Sequence, residues 1–165
     1  KHFIPDSLIR AYETLANDLI ARVEAVFART RGVRRLRIHG DCHPGNVLWR
    51  DDAPNFVDFD DTMTGPAVQD LWMLMSGERD QRQGQLLEIA EGYNEFHDFD
   101  PRSLDMIEAL RTLRIMHYSA WLAQRWSDPI FPINFPWFGS SDYWKGQVDM
   151  LVEQTEAMQA APLVV

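Results

Sequence analysis

The side chains best suited to chemistry lie in two short stretches near the middle of the first half of the chain. The first reads His39-Gly40-Asp41-Cys42-His43-Pro44-Gly45-Asn46, and the second reads Asp58-Phe59-Asp60-Asp61. Carboxylate and amide oxygens of this kind are the ligands that Mg²⁺ takes in proteins, whereas zinc sites draw on His and Cys. A carboxylate that is left off the metal could orient a hydroxyl group and accept its proton. The residue types therefore indicate a cation site beside a general base.

A predicted β-hairpin brings these two stretches together. Its strands are Val47–Trp49 and Phe56–Val57, joined by a turn-rich segment. In a hairpin the start of one strand lies beside the end of the other. Asn46 and Asp58 should therefore meet at one mouth of the hairpin. Asp41 precedes Asn46 on a loop bent by Pro and Gly, and we expect it to curl back over the same point.

Around the hairpin, apolar periodicity predicts a mainly helical fold. Helices are predicted at about 8–29, from Gly65-Pro66 to about 76, at about 81–97, from Asp100-Pro101 to about 126 and at about 141–160, with a short strand at 36–38. The segment 127–140 contains three Pro residues among aromatic ones. Pro lacks a backbone N–H, so this segment is predicted to be neither a regular helix nor a central strand.

Composition narrows the class of protein. The chain has 165 residues and a formal net charge of −9, which argues against a nucleic-acid or membrane-surface binder, since both favour basic surfaces. No apolar run approaches the ~20 residues of a membrane span. Cys42 is the single cysteine, so no disulfide can form within the chain. A reducing, cytoplasmic setting fits this cysteine usage.

The two stretches carry a resemblance to a known fold. His-Gly-Asp-x-His-x-x-Asn, then a strand pair, then Asp-Phe-Asp resembles the catalytic and metal loops of the protein-kinase-like fold, in its aminoglycoside phosphotransferase and choline kinase branch. The resemblance implies the C-terminal, large lobe of that fold, mainly α with a small β-hairpin. Residues 1–165 would form a single domain, with 39–46 as catalytic loop and 58–61 as metal-binding loop.

The resemblance implies a role for each matching residue. Asp41 would be the catalytic base, and Asn46 and Asp58 would hold the Mg²⁺ ions that bridge the phosphates of ATP, the co-substrate. The other implied roles are a phosphate contact for His43, the floor under the adenine for Leu48, and support of the catalytic loop for His39 and Asp70. Asp60 is a candidate for an additional metal contact, and of Asp60 and Asp61 one could instead only cap the following turn.

Three longer stretches narrow the resemblance. Ile38–Trp49, Gly65–Met73 and the Pro-aromatic run Arg125–Trp137 are together similar to the stress response kinase A (RdoA) family. That similarity implies a cytoplasmic enzyme, expected to be a monomer, that phosphorylates Ser and Thr of proteins in a stress response.

The sequence also departs from the kinase pattern. No Gly-rich loop followed by a strand Lys occurs before residue 39, and helix-like sequence fills that space. We therefore expect the N-terminal lobe to be absent from this chain and to be its partner in the complete protein, and we expect this chain alone to be inactive. Only a short segment separates Asp58 from Asp70, which leaves no room for a long activation loop.

Other functions remain open from the sequence. The acceptor could be a small molecule, such as an aminoglycoside, choline or homoserine, because the catalytic loop alone does not distinguish it from a protein. The chain by itself could be a non-catalytic docking lobe. Cys42 beside His43 could be a thiol nucleophile, and His39, Asp41 and His43 could form a metal-hydrolase cluster. The last hypothesis leaves the hairpin and Asp58 without a role.

Overall fold

The computed structural model of the chain describes residues 3–165. Its helices are α1 (Asp6–Arg29), α2 (Val68–Trp72), α3 (Arg79–Asn94), α4 (Ile107–Arg125), α5 (Ile130–Asn134) and α6 (Ser141–Ala157), and its strands are β1 (Arg35–Ile38), β2 (Val47–Arg50), β3 (Ala53–Phe56) and β4 (Met63–Pro66). Single 3₁₀ segments cover Pro44–Asn46 and Pro101–Met106. The fold is thus mainly helical with two small sheets, and the prediction of a helical fold with a hairpin is confirmed. Among residues 3–165, none of the helices combines the length and the apolarity needed to cross a bilayer.

The chain divides into two compact units. The first contains the residues up to Ala28 together with Glu108–Ala160, and the second contains Arg29–Ile107 together with Ala161–Val165. Both stretches singled out from the sequence belong to the second unit. The single domain expected from the sequence stays a prediction.

The first unit is built around an aromatic cluster. Phe138 is fully buried, and its ring lies 4.9 Å from Phe3, 5.0 Å from Trp126 and 5.5 Å from Trp144. Aromatic rings at these separations bury large apolar areas and interact favourably through their edges and faces. The Pro-aromatic segment is therefore a packing element of this unit. It also contains the short helix α5, which the sequence did not predict.

The second unit carries the two sheets. Strands β2 and β3 form the predicted hairpin, with Val47 opposite Phe56. Asp51 and Asp52 adopt positive φ values of 52° and 58°, as a tight two-residue hairpin turn requires. The turn is thus shorter than predicted, and Pro54 lies in the strand.

The second sheet corrects one prediction. Gly65 and Pro66 do not open a helix; they end β4, which pairs antiparallel with β1 so that Leu36 faces Gly65. A Cβ on Gly65 would lie 2.6 Å from the Cδ1 atom of Ile38, so the Ile38 side chain packs over this glycine and would have to shift to accommodate a larger residue. Helix α2 begins only afterwards, at Val68.

The remaining helices start close to their predicted residues. The side chain of Asp100 accepts a hydrogen bond from the backbone N–H of Arg102 at 3.0 Å, but the segment it caps is a 3₁₀ turn that precedes α4. Helix α3 begins with a capping box in which Glu78 and Gln81 satisfy each other's backbone N–H groups. Asp100-Pro101 thus starts a 3₁₀ segment, and the long helix predicted to begin here begins instead at Ile107.

Candidate active site

Helix α2 holds the 39–46 loop through the carboxylate of Asp70. Its Oδ2 accepts the backbone N–H of His39 at 2.7 Å, and its Oδ1 accepts that of Gly40 at 2.8 Å. The neighbouring Gln69 donates from Nε2 to the carbonyl of Gly40 at 3.1 Å. The two bonds to the Asp70 carboxylate are charge-assisted, and such hydrogen bonds are shorter and stronger than neutral ones. Both backbone polar groups of Gly40, the residue just before Asp41, are therefore held by side chains of helix α2.

Gly40 allows the 58–61 loop to approach the 39–46 loop. Its φ is +90°, and a Cβ at this position would lie only 2.2 Å from the backbone carbonyl oxygen of Asp61. A side chain would be excluded by both the conformation and the contact. Glycine therefore brings the backbones of the two acidic loops into direct contact.

The imidazole of His39 links the same two loops. Its Nε2 donates to the carbonyl of Val57 at 2.8 Å, while Nδ1 faces the backbone N–H of Asp41 at 3.4 Å. The ring lies 4.8 Å from the ring of Phe59, and the residue is buried. His39 thus links Val57, which precedes the 58–61 loop, to the backbone of Asp41.

Asn46 occupies the mouth of the hairpin. Its Nδ2 donates to the carbonyl of Asp41 at 2.9 Å, and its own carbonyl accepts the N–H of Val57 at 3.1 Å. The residue is buried. Because Nδ2 must be the donor to a carbonyl, the amide orientation is fixed and Oδ1 stays available as an acceptor or metal ligand.

Asp58 follows Val57 directly and adopts a left-handed backbone conformation with φ +63°. For a residue other than glycine this conformation costs on the order of 1 kcal/mol, and such outliers concentrate at functional sites. The side chain is exposed. Asp60 is also exposed and lies in the turn closed by the hydrogen bond from the Thr62 N–H to the Phe59 carbonyl at 3.1 Å.

Asp41 and His43 face each other across the 39–46 loop. Asp41 Oδ2 lies 3.6 Å from His43 Nε2, and His43 Nδ1 accepts the backbone N–H of Gly45 at 3.0 Å. The side chain of Asp41 keeps 20% of its surface exposed. The carboxylate therefore lies beside the His43 ring and remains partly accessible to solvent.

The Asn46 amide and the Asp58 carboxylate carry oxygen atoms of the type that hard cations bind. Asn46 accepts the backbone N–H of Val57, the residue before Asp58, at 3.1 Å, so the Asn46 amide and the Asp58 carboxylate belong to the same end of the hairpin. Mg²⁺ commonly takes one or two protein oxygens and completes its octahedron with water and phosphate oxygens. Among residues 3–165, no three His, Cys, Asp or Glu side chains are grouped so that they could hold a metal ion by themselves.

Cys42 lies between the two candidate residues of the loop but is buried. Burial raises the pKa of its thiol, and the negative charges of Asp70 and Asp41 raise it further. The thiolate is the nucleophilic form of cysteine. A raised pKa therefore disfavours the hypothesis of a thiol nucleophile.

The hairpin presents large apolar side chains to solvent. Leu48 is 52% exposed and Trp49 is 72% exposed. Successive strand residues point to opposite faces, so these two side chains mark the two faces of β2. Leu48 is the residue that the resemblance assigns to the adenine.

Sequence reasoning missed two contributors to this site. Gln69 holds the Gly40 carbonyl, and its only signal was its place next to Asp70. Gly45 permits the close approach of the His43 ring, since a Cβ there would lie 2.7 Å from His43 Cε1. The sequence signal for Gly45 was its position between the candidate residues His43 and Asn46.

A comparison with protein families identifies the family to which the two loops belong. A family model described as "Phosphotransferase enzyme family" matches residues 6–107, a range that contains both loops and Asp70. The chain belongs to this phosphotransferase family.

Comparison with individual relatives narrows the family to a group of named kinases. The chain is 48% identical over 160 residues to stress response kinase A of Escherichia coli (strain K12), an alignment that covers 97% of this chain and 48% of the relative. It is 51% identical over 128 residues to serine/threonine protein kinase RdoA of Salmonella typhimurium (strain LT2), covering 78% of this chain and 39% of the relative. The chain therefore spans about half the length of the curated relatives it matches, or less. The resemblance to the stress response kinase A family is confirmed.

Proposed function

We propose that the full-length gene product is a kinase that transfers the γ-phosphoryl group of Mg-ATP to Ser or Thr hydroxyls of proteins in a stress response. Family membership supports phosphoryl transfer, and the names of the relatives, a stress response kinase and a serine/threonine protein kinase, support the protein acceptor and the stress role. The chain would be the large, C-terminal lobe of a protein-kinase-like fold.

One observation carries the proposal: the Asp70 carboxylate holds the backbone of the 39–46 loop by its bonds to His39 and Gly40 at 2.7 and 2.8 Å. Phosphoryl transfer requires little covalent chemistry from the protein and depends on positioning and charge neutralisation. A loop fixed through its backbone fits that requirement.

Each residue of the site has a proposed task. Asp41 orients the acceptor hydroxyl and accepts its proton. Asn46 Oδ1 and the Asp58 carboxylate hold Mg²⁺, which supplies positive charge to the phosphate oxygens when it is bound. His39 and Asp70 hold the loop, and Leu48 packs under the adenine. Asp60 is a further candidate for the metal.

The acceptor is tested by offering protein and small-molecule substrates side by side. Full-length protein receives labelled Mg-ATP with a mixture of Ser/Thr-containing proteins and with a panel of aminoglycosides and amino alcohols. Labelled protein supports the proposal. Labelled small molecules with no labelled protein would replace it by a small-molecule kinase of the same family.

The base is tested in the same assay with Asp41→Asn. We expect phosphoryl transfer to fall at least about 100-fold, since general acid–base catalysis is typically worth 10²–10⁴-fold, while ATP still binds. Asp98→Asn is a matched control because Asp98 is exposed. Turnover of Asp41→Asn equal to that of the control would reject Asp41 as the base.

The metal ligands are tested by Mg²⁺ titration of nucleotide binding. We expect Asp58→Ala to shift the Mg²⁺ dependence of ATP binding to higher concentration, because the ion loses a charged ligand. Asp98→Ala serves as the control. A Mg²⁺ titration that is identical in Asp58→Ala and wild type would remove Asp58 from the metal site.

A further inference from the structure

The imidazole of His43 is held in one orientation by its surroundings. Nδ1 accepts the backbone N–H of Gly45 at 3.0 Å, and Nε2 faces Oδ2 of Asp41 at 3.6 Å. The ring therefore lies between a backbone donor and the carboxylate of the proposed base.

The Gly45 contact determines the tautomer. A backbone N–H can only donate, so Nδ1 must carry a lone pair for this hydrogen bond to exist. In a neutral imidazole the proton then resides on Nε2, the nitrogen that faces Asp41. The hydrogen bond at one side of the ring thus directs an N–H toward the carboxylate at the other side.

Gly45 is also needed for the position of the ring. A Cβ at residue 45 would lie 2.7 Å from Cε1 and 2.9 Å from Nδ1 of His43. Real Cβ atoms do not approach ring atoms so closely, so a methyl group here would push the imidazole away. Because the obstructed group is a half-exposed side chain, the backbone need not rearrange.

We propose that His43 is a positioning residue for Asp41: as a neutral imidazole with its proton on Nε2, it orients the carboxylate that accepts the hydroxyl proton. This inference rests on the proposed function of Asp41. It differs from the phosphate contact that the resemblance implies for His43. The 3.6 Å separation exceeds a hydrogen bond, and catalytic hydrogen bonds commonly tighten only when substrate is bound.

The tautomer is tested without any activity measurement. NMR of the isotope-labelled imidazole nitrogens at neutral pH is expected to show His43 with a proton on Nε2 and a hydrogen-bonded, unprotonated Nδ1. Gly45→Ala should abolish the Nδ1 hydrogen-bond signature while the other histidines keep theirs. A proton on Nδ1 of wild-type His43 would overturn the proposal.

Kinetics of the full-length protein separate positioning from phosphate binding. Gln can place an amide N–H near the site of Nε2, whereas Asn cannot reach it, so His43→Gln should keep most of kcat. His43→Asn should lose roughly 100-fold in kcat, the cost expected of a misplacement of about 1 Å, with the KM for ATP unchanged. If His43 instead contacted the phosphate of ATP, His43→Lys would be active, and loss of the side chain would raise the KM for ATP. That pattern would overturn the proposal.

A double variant tests whether Gly45 acts through His43. Gly45→Ala should lower kcat about as much as His43→Asn, and the two changes together should cost no more than either one, because residues that act through one contact are not additive. Losses in kcat that add in the double variant would show that Gly45 does not act through His43 and would overturn this part of the proposal.

If Asp41→Asn keeps full activity, the proposed base itself fails and its positioning residue with it. If Asp41→Asn is inactive but His43→Asn is fully active, only the positioning role is lost.

Discussion

The carboxylate of Asp70 accepts a hydrogen bond from the backbone N–H of Gly40 at 2.8 Å, although the two residues are separated by 30 positions in the sequence. The other carboxylate oxygen holds the N–H of His39. Asp41 is the next residue after Gly40 in the chain. The backbone that leads into Asp41 is therefore positioned by a side chain on helix α2.

This relationship predicts that Asp70→Asn destabilises the protein. The amide keeps one acceptor oxygen, but its NH₂ group would face the second backbone N–H. A partly buried donor left unsatisfied costs about 1–3 kcal/mol, so we expect the free energy of unfolding in urea to fall by about 2 kcal/mol.

Glu91→Gln is the matched control for this measurement. It makes the same change from carboxylate to amide on an exposed residue of helix α3, and it should alter the free energy of unfolding by less than about 0.5 kcal/mol. Equal stability of Asp70→Asn and Glu91→Gln would show that the two backbone bonds do not hold the loop.

Cys42 should react slowly with iodoacetamide in the folded protein. Burial and the neighbouring carboxylates raise the pKa of its thiol, so the reactive thiolate becomes a smaller fraction at any pH below that pKa. The rate should rise as pH rises through and above the ordinary thiol range, and it should rise further in denaturant. Mass spectrometry gives a direct measurement because Cys42 is the single cysteine. Labelling of the native protein at the rate of the denatured protein would contradict the burial.

The hairpin and its mouth could be predicted because their determinants are local. Alternating apolar residues on both sides of a turn specify the strands, and the pairing then brings Asn46 next to Val57, whose N–H donates to the Asn46 carbonyl at 3.1 Å. The position of Asp58 follows from that pairing. Its left-handed conformation, φ +63°, does not follow from any local pattern.

The parts that sequence reasoning missed depend on contacts between distant residues. Gly65-Pro66 suits a helix start and a strand end equally well, and the pairing with β1, in which Leu36 faces Gly65, decides between them. Gln69 is likewise an ordinary helix residue until Gly40 lies beside it. The periodicity of apolar residues does not show which distant backbone segment will lie beside a given residue. The β1–β4 pairing and the Gln69 contact therefore become visible only in the structure.

Leu48 and Trp49 allow a paired test of the nucleotide site. Leu48 is proposed to pack under the adenine, whereas its neighbour in β2 points to the opposite face. Burying a leucine side chain is worth about 1.5–3 kcal/mol, so Leu48→Ala should weaken ATP binding by roughly 10-fold or more in a calorimetric titration. Trp49→Ala should leave ATP affinity within a factor of about 2 of the wild type. Weaker binding in Trp49→Ala than in Leu48→Ala would assign the adenine to the other face.

Two glycine-to-alanine changes should have opposite effects on stability. Gly40 has φ +90°, and an added Cβ would meet the Asp61 carbonyl oxygen at 2.2 Å. Left-handed backbone alone costs an alanine about 1–2 kcal/mol, and the contact forces the two acidic loops apart. Gly84, in helix α3, has no atom within 4 Å of an added Cβ, so Gly84→Ala should stabilise the protein by about 0.5–1 kcal/mol through helix propensity. Urea unfolding of both variants measures the difference, and Mg-ATP binding should be lost only in Gly40→Ala. A Gly40→Ala protein as stable as Gly84→Ala would mean that the 39–46 and 58–61 loops do not touch at this glycine.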